Sequence, residues 1–145
     1  MVLLESLIQP FEILEHTADI GLRAYGQTLK EAFENAAIGM FSIITDLENV
    51  KSTLSDEIYI EAEDRESLLV EWLNELLYRF EVEYRVYKRF DIIDWDEEHR
   101  LRAVVHGEPL DLGRHQIKTQ IKACTYHMLK IERNEYWSAQ VVFDI

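Results

Sequence analysis

Apolar residues recur along the first half of the chain in two different rhythms. Phe11 to Glu15 reads as a strand, and Ile20, Leu22 and Ala24 alternate with polar positions to predict a second strand from Ile20 to Tyr25, closed by Gly26. From Leu29 the period becomes helical, with Leu29, Ala32, Phe33, Ala36, Ala37, Met40, Phe41 and Ile44 on one face. Thr28 is placed to cap that helix, and Glu31 stands at the capping-box spacing. Ile58, Ile60 and Ala62 then alternate with Glu57, Tyr59, Glu61 and Glu63, as a half-buried strand does. Asp64 opens a second helix with the stripe Leu68, Leu69, Trp72, Leu73, Leu76, Leu77 and Phe80. Glu71, Glu75 and Arg79 climb its opposite face at ion-pairing spacing, so the aromatic stripe reads as core.

After about Tyr84 the period is two, through Val86 to Trp95, Leu101 to Val105, Gln116 to Tyr126 and Tyr136 to Phe143. Turns fall near Asp96 to Glu98, Gly107 to Gly113 and Glu132 to Glu135. Two helices among strands joined mostly by short turns do not make an alternating βαβ array. The expected fold class is α+β, two amphipathic helices packed on a mainly antiparallel β-sheet. No repeat, low-complexity tract or linker interrupts residues 1–145, which are expected to form one domain. The order of the strands is not readable from the pattern.

Charge narrows the function classes. Asp and Glu total 28 against 15 Lys and Arg, a net charge of −13, so the overall field repels a phosphate backbone and disfavours direct, tight nucleic-acid binding. The same charge suits a bound cation, a basic protein partner or simple solubility. A single cysteine, Cys124, allows no internal disulfide and no all-cysteine metal site, which points to a reducing, cytoplasmic setting. The apolar opening Met1 to Ile8 contains Glu5, lacks a basic start and is too short for a signal peptide or a span, so no membrane association is expected.

The usual catalytic patterns are missing. Cys124 sits within KACTYHMLKI and reads as sheet filler, no serine lies in a Gly-x-Ser-x-Gly elbow, and no glycine-rich phosphate loop occurs. His16, His99, His106, His115 and His127 lack zinc-ligand spacing, and His115 in the GRHQ turn reads as an exposed loop residue. Two places stand out. EHTADI, residues 15 to 20, gathers polar groups ahead of a strand, and VVFDI ends the sequence on a strand pattern. There Trp137, Ala139, Val141 and Phe143 share one face and leave Asp144 on the other, beside the carboxylate expected at Ile145. Two close anions suit a hard cation, but spacing alone favours the plainer reading without a metal.

HTADIG at 16 to 21, SLLVEWLNELLY at 67 to 78, KACTYH at 122 to 127 and the terminal VVFDI together resemble the archease family. The resemblance runs from about Phe11 to Ile145 and leaves residues 1–10 as a short N-terminal extension. It implies a small acidic protein without catalytic residues that serves as a cofactor of the RtcB-type tRNA-splicing RNA ligase. Such a cofactor promotes guanylylation of the ligase's active-site histidine, allows multiple turnover and broadens nucleotide use. The resemblance also implies a divalent-cation site at Asp19, Asp144 and Ile145, the last through backbone or terminal oxygens. Oxygen ligands suit Ca²⁺ first, with Mg²⁺ or Mn²⁺ as alternatives, and not Zn²⁺. His16 is expected to support Asp19, and Lys122 is a second contact candidate against the alternative of a solvated lysine. Two rival functions are a small metal-dependent hydrolase using Asp19 and Asp144 around an activated water, and a chaperone-like modulator of RNA-processing enzymes.

Overall fold

The computed structural model describes residues 9–15 and 18–145; the apolar opening Met1 to Ile8, together with His16 and Thr17, lies outside the described residues. Among the described residues seven strands and two helices follow in the order β1 Phe11–Glu15, β2 Asp19–Gly26, α1 Leu29–Ile44, β3 Leu54–Glu61, α2 Arg65–Glu83, β4 Arg85–Asp96, β5 Arg100–Pro109, β6 Ala123–Arg133 and β7 Trp137–Asp144. A 3₁₀ turn, Leu47–Asn49, interrupts the path from α1 to β3. The strands form two sheets, one ordered β1-β2-β7-β6 and the other β3-β5-β4, and every pairing is antiparallel. This is the α+β architecture expected from the hydrophobic pattern.

Both helices start where their capping residues stand. Glu31 N–H donates to Thr28 Oγ1 at 3.1 Å, while the Glu31 carboxylate accepts from Gln27 N–H, one residue further back than in the usual capping box. Ser67 N–H donates to Asp64 Oδ1 at 2.8 Å, a bond that lowers the Asp64 pKa because it favours the carboxylate. Helix α2 ends without glycine: Tyr84 adopts the left-handed region at φ 56°, and its carbonyl accepts from Leu110 N–H at 2.7 Å, a tertiary bond that holds the unusual backbone. All eight residues of the expected α1 stripe are buried, and Gly39 and Ile43 join them. Between the helices the core is aromatic, with Phe41 packed on Phe80, Tyr87 and Phe90, and Trp72 on Phe90. Trp72 Nε1–H donates to Phe33 O at 3.0 Å, which satisfies the one polar atom the indole takes into the core.

Two readings of the second half are corrected. Gln116 to Ile121 form no strand; β6 begins at Ala123 and runs on to Arg133. The apolar alternation there is real, but the backbone is tied elsewhere: Lys118 N–H donates to Ile44 O at 2.7 Å, and Thr45 Oγ1 donates to Gln116 O at 2.6 Å. The first bond serves the open carbonyl end of α1 and the second ties the Gln116 carbonyl to the residue that caps that helix, so neither joins a ladder. Gly107 and Glu108 lie inside β5 and not in a turn. Gly107 permits a close approach to β4 at a bulge, since a Cβ there would stand 1.8 Å from Val86 O.

Candidate functional site

The order β1-β2-β7-β6 brings the two suspicious stretches together. In the β2 and β7 ladder Asp19 is the direct partner of Asp144, and Ala123 of β6 pairs with Asp144 from the other side. Inward-facing Ile20, Leu22, Ala24, Ala139, Val141 and Phe143 are buried, so the pleat turns Asp19 and Asp144 to the outer face together. Directly opposed carboxylates on one face repel, and burial of either makes the repulsion worse. Asp19 Oδ1 is buried and has no hydrogen-bond partner among the described residues. Asp144 and Ile145 are exposed, and Lys122 N–H donates to Asp144 O at 2.8 Å.

This corner offers two carboxylates and the oxygens of the last residues, a donor set of hard oxygens. Among the described residues no group of three or more His, Cys, Asp or Glu side chains is arranged to hold a metal ion. A cation at the corner would therefore need Ile145, backbone oxygen or water beside Asp19 and Asp144. The buried, unpartnered oxygen is the feature that such an ion would satisfy. Lys122 precedes β6 and is exposed, and its ammonium forms no ion pair among the described residues.

Other reactive side chains are occupied structurally. Cys124 is buried, and burial pushes its thiol up to about 12, the reverse of an activated nucleophile. His106 Nε2 meets Asp91 Oδ2 at 3.1 Å, and His99 Nδ1 meets Ala62 O at 3.3 Å, so the described histidines are dispersed. His115 corrects the expectation of an exposed loop residue, because only 1% of it is exposed. Asp111 N–H donates to its Nδ1 at 2.9 Å, which leaves the proton on Nε2, and Nε2–H donates to Glu108 Oε2 at 2.8 Å.

Glu108 is the buried centre of that cluster. It accepts from Arg114 Nη2 at 2.6 Å, Arg114 Nη1 at 3.1 Å and Lys51 N–H at 2.7 Å. The Arg114 guanidinium, aided by Lys51 N–H and His115, holds the Glu108 carboxyl down at about 2 although burial opposes it. Arg114 also donates to Asn49 O at 3.2 Å, so one carboxylate fastens the 111–115 turn to the 49–51 segment. The sequence carried little sign of this: a Glu and an Arg-His pair six and seven residues apart match no helix or strand period.

Comparison with known proteins covers nearly the whole chain. A family model described as the archease protein family matches residues 11–145. Protein archease of Methanosarcina acetivorans is 47% identical over 139 residues, spanning 93% of this chain and 95% of that protein. Protein archease of Pyrococcus furiosus is 42% identical over 142 residues, 95% of this chain and all 100% of that protein. The solution structure of Methanobacterium thermoautotrophicum protein 1598 superposes with a TM-score of 0.78 at 35% identity, covering 94% of this chain and 99% of that one. A Thermotoga maritima crystal structure, described as an archease and possible chaperone, gives a TM-score of 0.58 at 25% identity over 91% of this chain and 94% of its own.

Proposed function

The chain belongs to the archease family, and from that premise we propose that it is a non-enzymatic protein cofactor of an RtcB-type tRNA-splicing RNA ligase in the cytoplasm. It promotes guanylylation of the ligase's active-site histidine, lets the ligase turn over repeatedly and broadens its nucleotide use. The observation that supports a functional corner is the direct pairing of Asp19 with Asp144 around a buried, unpartnered Asp19 Oδ1. Fixed anions facing one another cost stability, and a hard cation turns that cost into binding.

In this reading Asp19, Asp144 and the oxygens of Ile145 hold Ca²⁺, Mg²⁺ or Mn²⁺, and the bound ion neutralises the corner and supplies a coordinating charge there. The chain's own part is to hold those oxygens on a rigid sheet end and present them to the ligase near its metal-dependent centre. With net charge −13, the surface complements a basic RNA-binding enzyme and not RNA. A hydrolase fits less well, because no third side-chain ligand or base joins Asp19 and Asp144 among the described residues. The description of the Thermotoga maritima neighbour as a possible chaperone favours one second reading, a modulator of several RNA-processing enzymes that shares the absence of chemistry and differs in partners.

The deciding experiment is RNA ligation by the purified cognate ligase with GTP and Mn²⁺, run with substrate in excess, with and without this protein. Many ligations per ligase molecule are expected only when it is present, while the protein alone neither hydrolyses GTP nor joins RNA. Equal turnover in both reactions refutes the ligase reading. GTP hydrolysis by the protein alone, abolished by Asp19→Ala, would establish the hydrolase.

A further inference from the structure

The carboxamide of Asn74, midway along α2, makes two hydrogen bonds to a single residue of β6. Nδ2 donates to Cys124 O at 3.1 Å, and Cys124 N–H donates to Asn74 Oδ1 at 2.8 Å. One donor and one acceptor from one side chain reproduce the pair of bonds a neighbouring strand would offer. β6 is an edge strand of its sheet, so this side chain stands where the next strand is missing. Alternate residues of an antiparallel strand turn their backbone groups to opposite edges. With Cys124 turned to Asn74, Ala123 and Thr125 are left facing β7.

The stretch of β6 around the corner is short. Its ladder with β7 runs Ala123 to Asp144, Cys124 to Phe143 and Thr125 to Val142, and the register then breaks until Lys130 meets Gln140. On the other side, residues 110–122 form no strand. So brief a ladder between two irregular segments holds its place weakly by itself. Asn74 ties it to a helix whose neighbouring Trp72, Leu73, Leu76 and Leu77 are buried.

We infer that Asn74 is a positioning residue for the acidic corner: its carboxamide fixes the piece of β6 that pairs with Asp144, and so sets where Asp144 stands against Asp19. The inference rests on the reading of that corner as a cation-binding and ligase-facing site. The plainer role, protection of a strand edge, predicts lost stability with no effect directed at the corner. A variant pair and a control separate the two. Asn74→Ala removes both bonds. Asn74→Asp keeps the shape but loses the donor at neutral pH. Ile58→Val trims a buried side chain in the other sheet and lowers stability without touching β6.

The first readout is amide hydrogen exchange at Lys122, whose N–H is bonded to Asp144 O. The second is calorimetric titration with Ca²⁺ and Mn²⁺. Relative to Ile58→Val, both Asn74 variants should exchange at Lys122 about tenfold faster and bind cation about tenfold more weakly, the usual scale for losing an outer support of a metal site. In Asn74→Asp the Lys122 protection should return as the pH falls and the carboxyl gains its proton, since it then offers donor and acceptor again; Asn74→Ala should show no return. Faster exchange confined to Cys124, with Lys122 unchanged, overturns the inference. So does wild-type cation affinity in both variants. If wild-type protein binds neither cation, the reading of the corner fails, and Lys122 exchange still decides the role of Asn74.

Discussion

Glu108 provides a stability test whose size and pH window follow from its surroundings. Its carboxyl is lowered from 4.5 to about 2, first by the Arg114 guanidinium. At about 1.4 kcal/mol per pH unit, such a difference from the unfolded chain corresponds to ~3 kcal/mol in an unscreened site. The site is only partly shielded: Glu108 itself is 4% exposed, but the Arg114 side chain that does most of the lowering is 39% exposed. Water and salt reach the pair, so about 1–2 kcal/mol is the better expectation.

The sign follows from the direction of the shift. A carboxyl lowered in the folded state contributes in full above its unfolded value, and the contribution fades as the pH falls from about 4.5 to about 2. Urea unfolding of wild type and Glu108→Gln at pH 7, 4.5 and 2.5 isolates the effect, because other titrating groups are common to both proteins. Wild type should be the more stable at pH 7, and its advantage should lose most of that ~1–2 kcal/mol between pH 7 and pH 2.5, the larger part of the loss falling below pH 4.5. An advantage that stays constant with pH refutes the assignment of the lowered carboxyl to the Arg114 contact. Cation affinity at pH 7 should be the same in both proteins, since Glu108 supports the 111–115 turn and not the Asp19 corner.

Asp19→Asn and Asp144→Asn, relieved of the repulsion between the two acids, should melt no lower than wild type in chelator and lose the rise that added Ca²⁺ or Mg²⁺ gives to wild type, measured by thermal scans with and without cation. A short polar tail appended after Ile145 should weaken cation binding in calorimetry and leave the chelator melting temperature unchanged. Gly107→Ala forces a Cβ to within 1.8 Å of Val86 O unless the strands shift; it should cost about 3 kcal/mol, a fall of roughly 10 °C in melting temperature. Gel-shift titration with tRNA halves at physiological salt, without ligase, should show no more than weak and nonspecific binding.

The helices were legible because each carried three agreeing signals: a cap, a period and an apolar stripe. Thr28 and Asp64 cap as expected, and the stripe residues of α1 are all buried. β6 was misplaced because period two reports which side chains face inward and not where the backbone bonds go. Ile121 is buried as its position in the pattern demands, yet the segment leading to it bonds to the end of α1. The Glu108 cluster was invisible for a related reason. Its partners come from the 49–51 segment, β5 and the 111–115 turn, which only tertiary folding assembles. His115 consequently looked like a loop residue.

The acidic corner lies between these cases, because the pattern constrained it without revealing it. Once β2 and β7 are neighbours, their apolar residues must point to the same core, which forbids a one-residue slip and puts Asp19 and Asp144 on the outer face together. Only slips of two residues remain, and these would leave an end of one strand without its partner. What the sequence lacked was the adjacency itself, since β2 and β7 lie more than a hundred residues apart and no local rule pairs them. The register that brings two carboxylates face to face is thus enforced by Ile20, Leu22, Val141 and Phe143, residues buried in the core on the opposite face of the sheet. A conservative change at either aspartate should therefore remove the site and spare the fold, whereas a polar change at Leu22 or Phe143 would remove the fold and, with it, the opposition of the two acids.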